Sequence, residues 1–353
     1  MRIAKAPQTP QPVPAQARPA TGPMAERAAQ SPAVHRLHTL QRRATAPVQR
    51  VLAHNSPIVG AEVASVTALA AKVFLLRGNN GDSVIIKFEM AGGGETADTF
   101  ATRDAYTRAL GTLVLTGVPN AQALSGGDLT AIRGLTAPPV TGDIQDLQRA
   151  IAAPLPLNML VLKAQKVDVG LNVQAEMDAA TKLMKKGGKN LSRGMSKSQA
   201  LNAALSQPAM VQSMGRMAAF DMMVNNYDRF RPEGDVNLVN LDIGGGAALG
   251  IDNLNPWDPL VAGAWQGGPH LAGPQAMQQY AARVVGFLLD KLGMDQSGSR
   301  TMVQHFMQGM INAIRTMKAY EPTLRIAIAA ENNQDKINVM TILADRLQQL
   351  PAV

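Results

Sequence analysis

The sequence predicts an α+β protein with a β-rich small lobe followed by a helical large lobe. Two apolar, β-branched runs at 73–77 and 83–88 flank a turn of Gly, Asn and Asp residues, a pattern typical of two paired strands. Apolar residues then recur at helical spacing in several stretches between 198 and 349. With 353 residues and a hydrophobic content of 46%, the chain is long enough to bury a large core beside an extension.

Composition divides the chain into a tail and two lobes. Residues 1–50 hold eight of the 22 prolines and no aromatic residue. Such a segment cannot bury enough apolar area to offset its chain entropy, so we expect a disordered tail. The small lobe, with inserted helices, is expected over 51–167, and the large lobe over 168–350.

The basic charge of the chain is concentrated in the tail. Residues 1–50 carry eight Lys or Arg and one acid, whereas the rest of the chain carries 26 bases and 25 acids. A folded nucleic-acid-binding domain usually has a basic face with stacking aromatics, and aromatics are 4% of this chain, so we expect no nucleic-acid partner. An apolar run of about 18 residues and the apolar core of a Sec signal peptide are both missing, so we expect neither a membrane span nor Sec export.

Short repeats in the tail, LQR at 40–42 and VQR at 48–50, lie among Pro and Ala residues. They resemble the leaders of effectors that bacterial contractile injection systems load. That resemblance implies a protein of the bacterial cytoplasm that is exported and injected into a target cell. A solvated linker and a mitochondrial-type transit peptide are the alternatives for this composition.

Residue types exclude several classes of chemistry. The chain has no cysteine, which excludes disulfides, thiol catalysis and Cys-ligated zinc. Its five histidines are scattered, and none is paired at zinc-ligand spacing on an evident helix, so we expect no histidine metal centre.

Oxygen-bearing side chains follow an apolar, methionine-rich helix expected over 211–225. Asp228 comes in the loop after this helix, and Asn237 and Asp252 lie near the two ends of an expected hairpin around three glycines. The expected strands of that hairpin are 236–243 and 247–251. The start and the end of a hairpin lie side by side, so we expect Asp228, Asn237 and Asp252 to converge.

Two further residues are expected to support this loop. Asp221, inside the helix, is expected to be structural rather than reactive, and Arg229 is expected to pair with a nearby carboxylate. An Asp in such a loop also commonly caps a turn, which is the plain alternative for Asp228.

The motif NNYDRF at 225–230, followed by an Asn and then by GIDN at 250–253, resembles the atypical kinases of the actin-fragmin kinase type, which are distantly similar to phosphatidylinositol kinases. The order of motifs matches over 85–253. The common protein-kinase pattern has the Asn five residues after the Asp; here Asn237 follows by nine, and Asn240 stays open as the alternative. The Phe of the usual Asp-Phe-Gly is absent after Asp252.

The resemblance implies a bilobal protein kinase-like fold that transfers the γ-phosphoryl group of ATP with Mg²⁺. Asp228 would be the catalytic base, and Asn237 and Asp252 would be the metal ligands. Lys87, on the strand at 83–88, would bind the α- and β-phosphates; an edge-strand Lys that faces solvent is the alternative. Glu95 would be the partner of Lys87, with Asp104 as second choice, unless Glu95 is only an acid at a helix N-terminus.

The resemblance also implies where adenine would bind. The strand expected at 158–167 would lead into the hinge, where backbone groups within 162–166, including those of Leu162, Lys163 and Ala164, would meet the base. The segment 58–71 stands in the place of the nucleotide loop, but it has a single glycine and no GxGxxG pattern.

The expected acceptor is a hydroxyl of a protein, in a host or competitor cell if the tail is a loading leader, and a phosphoinositide is the second choice. A pseudokinase or scaffold that acts by binding is the main rival interpretation. A kinase-like enzyme that transfers AMP is the third.

Overall fold

The computed structural model describes residues 52–91, 95–136, 142–152, 155–167, 170–178, 199–250 and 264–353. Within these residues the protein is mixed α+β, as the sequence predicts, and the chain from Val51 onwards forms one compact unit. The expected disordered tail at 1–50 and the candidate ligand Asp252 lie outside the described residues.

A five-stranded antiparallel sheet forms the first part of the described chain. Its strands are β1 (Val63–Ala70), β2 (Val73–Gly78), β3 (Ser83–Met90), β4 (Ala121–Ala123) and β5 (Met159–Gln165). They lie in the order β1-β2-β3-β5-β4, so β3 and β5 are neighbours although they are distant in sequence. The strands predicted at 73–77, 83–88 and 158–167 are confirmed.

Helices account for most of the remaining described residues. They are α1 (Ala97–Val114), α2 (Gly126–Arg133), α3 (Gly142–Ala152), α4 (Gln199–Leu205), α5 (Pro208–Val224), α6 (Gly268–Leu271), α7 (Pro274–Leu292), α8 (Ser299–Ala330) and α9 (Gln334–Gln349). The helical spacing predicted between 198 and 349 is confirmed by α5 and by α7 to α9. Residues 121–123 form β4 against β5, and α2 follows from Gly126. No helix of the described segments is both long and apolar enough to span a membrane.

The two faces of β3 meet different partners, as period-2 alternation requires. Val84, Ile86 and Phe88 are buried in a core with α2 and α3. Lys87 lies on the other face, directly opposite Leu162 of β5, and Leu162 packs against Phe100 of α1. Directly opposed residues of an antiparallel pair share a face, so Lys87 lies on the side of the sheet that α1 covers.

Helix α5 is the centre of the helical part. Almost every residue from Met210 to Val224 is buried, and the helix crosses α8 at two glycines. A Cβ on Gly215 would lie 2.0 Å from the carbonyl oxygen of Phe306, and a Cβ on Gly309 would lie 2.0 Å from that of Gln212. The two helix backbones are therefore in direct contact, which fixes where the end of α5 delivers Asp228.

A small second sheet follows α5 in the chain. It consists of β6 (Leu171–Asn172), β7 (Asp242–Gly244) and β8 (Ala247–Ala248), in the order β6-β7-β8. The turn between β7 and β8 uses Gly245 and Gly246 at φ of +58° and +78°, so the hairpin predicted around the glycines is confirmed. The predicted strand at 236–243 is wrong before Asp242, because Leu238–Asn240 form a 3-10 turn that the Asn237 side chain caps.

Candidate functional site

A buried ion pair fixes the loop that carries Asp228. Arg229 donates from Nε to Oδ2 of Asp221 at 3.0 Å and also contacts Oδ1 through Nη2, with both side chains almost fully buried. Burial raises the pKa of Asp221 to about 6, although the charge of Arg229 opposes this shift. The predicted support role of Asp221 and the predicted carboxylate partner of Arg229 are both confirmed.

The polar residues before Asp228 shape the turn out of α5. Asn225 caps the helix with a φ of +57°, the one positive φ at a non-glycine position among the described residues. The Tyr227 hydroxyl donates to Oδ1 of Asn225 at 2.8 Å and accepts from the backbone N–H of Gly267 at 3.1 Å. Trp265 donates from Nε1 to the carbonyl of Met222 at 2.8 Å. Hydrogen bonds from the segment at 264–268 therefore stabilise the end of α5 and the loop that follows it.

The extra residues between Asp228 and the following Asn form a closed excursion, residues 230–236. Phe230 and Val236 pair at its base, and the N–H of Asn237 donates to the carbonyl of Arg229 at 2.8 Å. Within the excursion, Gly234 adopts a φ of +99° and lies against Arg283 of α7. Because the excursion closes on itself, the chain returns next to the point where it left, and the unusual spacing does not separate the two site residues.

The chain that re-enters brings Asn240 to Asp228. The Asn240 amide donates from Nδ2 to the Asp228 carbonyl at 3.1 Å, which leaves Oδ1 as the ligand end of that side chain. Oδ1 of Asn237 instead accepts from the N–H of Val239 at 3.3 Å, which is the cap of the 3-10 turn. The structure therefore brings Asn240, the alternative at the sequence level, into contact with the Asp228 loop.

The hairpin that leads to Asp252 docks on the segment after α1. The N–H of Gly250 donates to the carbonyl of Thr116 at 2.7 Å, and Leu249 pairs with Thr116. A Cβ on Gly250 would lie 2.9 Å from Leu115, so a side chain does not fit at this contact. The described chain stops there, two residues before Asp252.

Lys87 lies inside the sheet rather than at its edge. Strand β3 is flanked by β2 and β5, so the edge-strand alternative is wrong. The side chain is 25% exposed and forms an ion pair with Glu89. Burial raises the pKa of Asp104 on α1; Arg108, which Asp104 binds at 2.6 Å, opposes this rise most strongly, and the charge of Lys87 opposes it less.

The prediction that Glu95 pairs with Lys87 is wrong. Glu95 binds Arg103 through two contacts, Nε to Oε1 at 3.0 Å and Nη2 to Oε2 at 2.8 Å, and both side chains are buried. The guanidinium fork matches both carboxylate oxygens at once, which a single ammonium does not. Asp104, the second choice, pairs with Arg108 at 2.6 Å, and the acid that the structure pairs with Lys87 is Glu89.

The prediction that Leu162, Lys163 and Ala164 present backbone groups to adenine is also wrong. These residues lie in the middle of β5, paired with β3 on one side and β4 on the other, so the ladders use their N–H and C=O groups. The Lys163 side chain is fully buried and binds Asp128 at 3.1 Å, which is a structural contact. Strand β5 ends at Gln165, so backbone groups at the predicted hinge begin with Lys166.

The segment expected to hold the nucleotide loop forms a tight hairpin. Gly60–Glu62 make a 3-10 turn, and the connection between β1 and β2 consists of Ala71 and Lys72 alone. Nothing in this turn replaces the glycines of a phosphate-covering loop.

Comparison with known proteins adds no family to this description. Neither a protein-family model nor a curated protein matches the chain. Among the described residues, no group of three or more His, Asp or Glu side chains forms a ready metal site. The case for function therefore depends on the geometry around Asp228.

Proposed function

We propose that this chain is a kinase-like phosphotransferase that uses Mg·ATP to phosphorylate a hydroxyl of a protein. The contact between the Asn240 amide and the Asp228 carbonyl carries the proposal. It holds the Asn240 side chain against the backbone of half-buried Asp228, in a loop that a buried ion pair and the segment at 264–268 hold in place. A hydroxyl-activating base next to a hard metal ligand is the pairing that phosphoryl transfer needs.

Each residue has one role in this proposal. Asp228 accepts the proton of the acceptor hydroxyl, and its carboxylate stays on the loop that Arg229 anchors. Asn240 and Asp252 are the proposed Mg²⁺ ligands, with Asn237 as the alternative to Asn240. When bound, Mg²⁺ would offset the negative charge of the phosphates. The donor set, one amide oxygen and one carboxylate, suits this hard cation.

Lys87 is the proposed phosphate-binding cation of the small lobe. It lies on the third strand, on the face that α1 covers, as the Lys of a kinase-like fold does relative to its following helix. Glu89, two residues further along β3, takes the part that the resemblance gave to Glu95, through its ion pair with Lys87.

A binding-only scaffold is the second candidate, because the β1–β2 connection of Ala71 and Lys72 has no glycine to cover phosphates. Thermal-shift measurements with Mg·ATP separate the two. The enzyme predicts a rise in melting temperature for the wild type that is lost in Asp252→Ala and in Asn240→Ala. No rise in the wild type supports the scaffold. Intact-mass analysis of a modified acceptor then distinguishes transfer of phosphate from transfer of AMP.

A further inference from the structure

A cleft of about 360 Å³ lies between the 230–236 excursion and α7. Val236 and Leu238 on one side and Phe287 on the other supply apolar surface. Asn237, which also lines the cleft, is bonded through its backbone to Arg229, the neighbour of Asp228. One wall of the cleft is therefore continuous with the loop that carries the proposed base.

Arg231 presents a guanidinium to this cleft from a rigid backbone. Its N–H donates to the carbonyl of Asp235 at 3.0 Å, and its carbonyl accepts from Gly234 at 3.0 Å and from the Tyr280 hydroxyl of α7 at 3.1 Å. The side chain is exposed, and its guanidinium makes no hydrogen bond or ion pair with the part of the chain that the structure describes. The Arg231 guanidinium is therefore suited to bind a carboxylate of another molecule.

The charge around the cleft favours an acidic occupant. Lys291 contributes a second cation, with Nζ 5.5 Å from the centre of the Phe287 ring, and the opposing acid that lines the cleft is Asp235. The first fifty residues of the chain carry eight bases and one acid, so they have the wrong sign to occupy it.

We propose that this cleft docks the protein acceptor, with an acidic side chain of the acceptor on Arg231 and an apolar neighbour between Leu238 and Phe287. The choice of acceptor rests on the proposed function. The docking itself is a binding event that is measurable without transfer.

Fluorescence anisotropy of labelled peptide libraries tests this docking on the full chain. The libraries share a central Ser or Thr and a fixed Leu, and they carry Glu, Ala or Lys at a second fixed position. We expect the Glu library to bind at least about tenfold more tightly than the Lys library, because Glu accepts charge-assisted hydrogen bonds from the guanidinium whereas Lys is repelled by it. Arg231→Glu should remove or reverse this preference, and Arg231→Gln should weaken it.

Arg300→Glu is the matched control, since Arg300 is exposed and does not line the cleft. Equal binding of the Glu and Lys libraries, or an Arg231→Glu variant that behaves like Arg300→Glu, overturns the docking proposal. Acid-selective binding without any transfer of phosphate would refute the proposed function and leave the docking intact. Phosphate transfer at equal rates to the Glu, Ala and Lys libraries would refute the docking and leave the proposed function intact.

Discussion

Replacing Arg229 by Met tests how the loop that carries Asp228 is held in place. Met keeps much of the apolar volume of Arg but removes the guanidinium, so Asp221 is left as a buried carboxylate. Its remaining hydrogen-bond donors include the Asn226 amide at 3.4 Å, which is a weak contact. Removing one partner of a buried pair leaves an uncompensated charge, so we expect Arg229→Met to lower the free energy of unfolding by about 3–5 kcal/mol at pH 7.5.

The loss should depend on pH in a defined direction. The pKa of Asp221 is already raised to about 6 by burial, and loss of the attraction from Arg229 raises it further. The unfolded value is about 3.9, so between that pH and the folded pKa the native state binds more protons than the unfolded state. Stability contributed by protonated Asp221 is therefore lost as the pH rises. The variant should regain up to about 1.4 kcal/mol relative to the wild type for each pH unit of acidification from its raised pKa down to about pH 6, below which Asp221 of the wild type is protonated as well.

Urea denaturation of both proteins at pH 5, 6, 7 and 7.5 measures this difference in the free energy of unfolding. Arg325→Met is the control, because Arg325 pairs with Glu321 and Asp345 at the surface, where such pairs contribute about 0–1 kcal/mol. A loss below about 1 kcal/mol at pH 7.5 for Arg229→Met, or a penalty that grows on acidification, would refute the reasoning.

Three further predictions follow from single contacts. Asn240→Ala should lower kcat of phosphoryl transfer about 100-fold and Asn237→Ala much less, measured by steady-state kinetics; the reverse order would return the ligand role to Asn237. Gly215→Ala should destabilise the protein by about 1–3 kcal/mol in urea, because its Cβ would lie 2.0 Å from the Phe306 carbonyl, whereas Gly286→Ala, which has open space, should stabilise it by about 0.5–1 kcal/mol. Tyr280→Phe should cost about 1 kcal/mol and speed amide exchange at Gly234, since the hydroxyl donates to the Arg231 carbonyl in the same turn; unchanged exchange would argue against this anchor.

Local pattern was sufficient for most of the secondary structure. The alternation in β2 and β3, the helical stripes of α7 to α9 and the glycine turn before β8 depend on residues near one another in sequence, and all are as predicted. The register of β5 depends on pairing across 69–81 residues to β3 and 39–43 residues to β4, and it decided that Leu162 to Ala164 are not free for a ligand. The spacing of residues along the chain does not predict which distant strands pair.

The same distinction between local patterns and long-range contacts separates the site residues that were predicted correctly from those that were not. Asp221 and Arg229 were predictable because a buried-looking acid and a loop Arg lie eight residues apart around one helix end. Glu95 was assigned to Lys87 by its order along the chain, but Glu95 binds Arg103, whose guanidinium donates to both carboxylate oxygens. The closed excursion at 230–236 was visible only as extra spacing. The pairing of Phe230 with Val236 closes it, and the Asn240 side chain, rather than that of Asn237, then binds the Asp228 backbone; this depends on tertiary contacts.

The most direct test of the central claim is transfer of labelled γ-phosphate from ATP in the presence of Mg²⁺, with a cell lysate as the source of acceptors. The account predicts labelled protein with the wild type, and none above background with Asp228→Ala, whose melting temperature should stay close to that of the wild type. Equal labelling by wild type and Asp228→Ala would contradict the account, because it would mean that this carboxylate does not take part in the transfer.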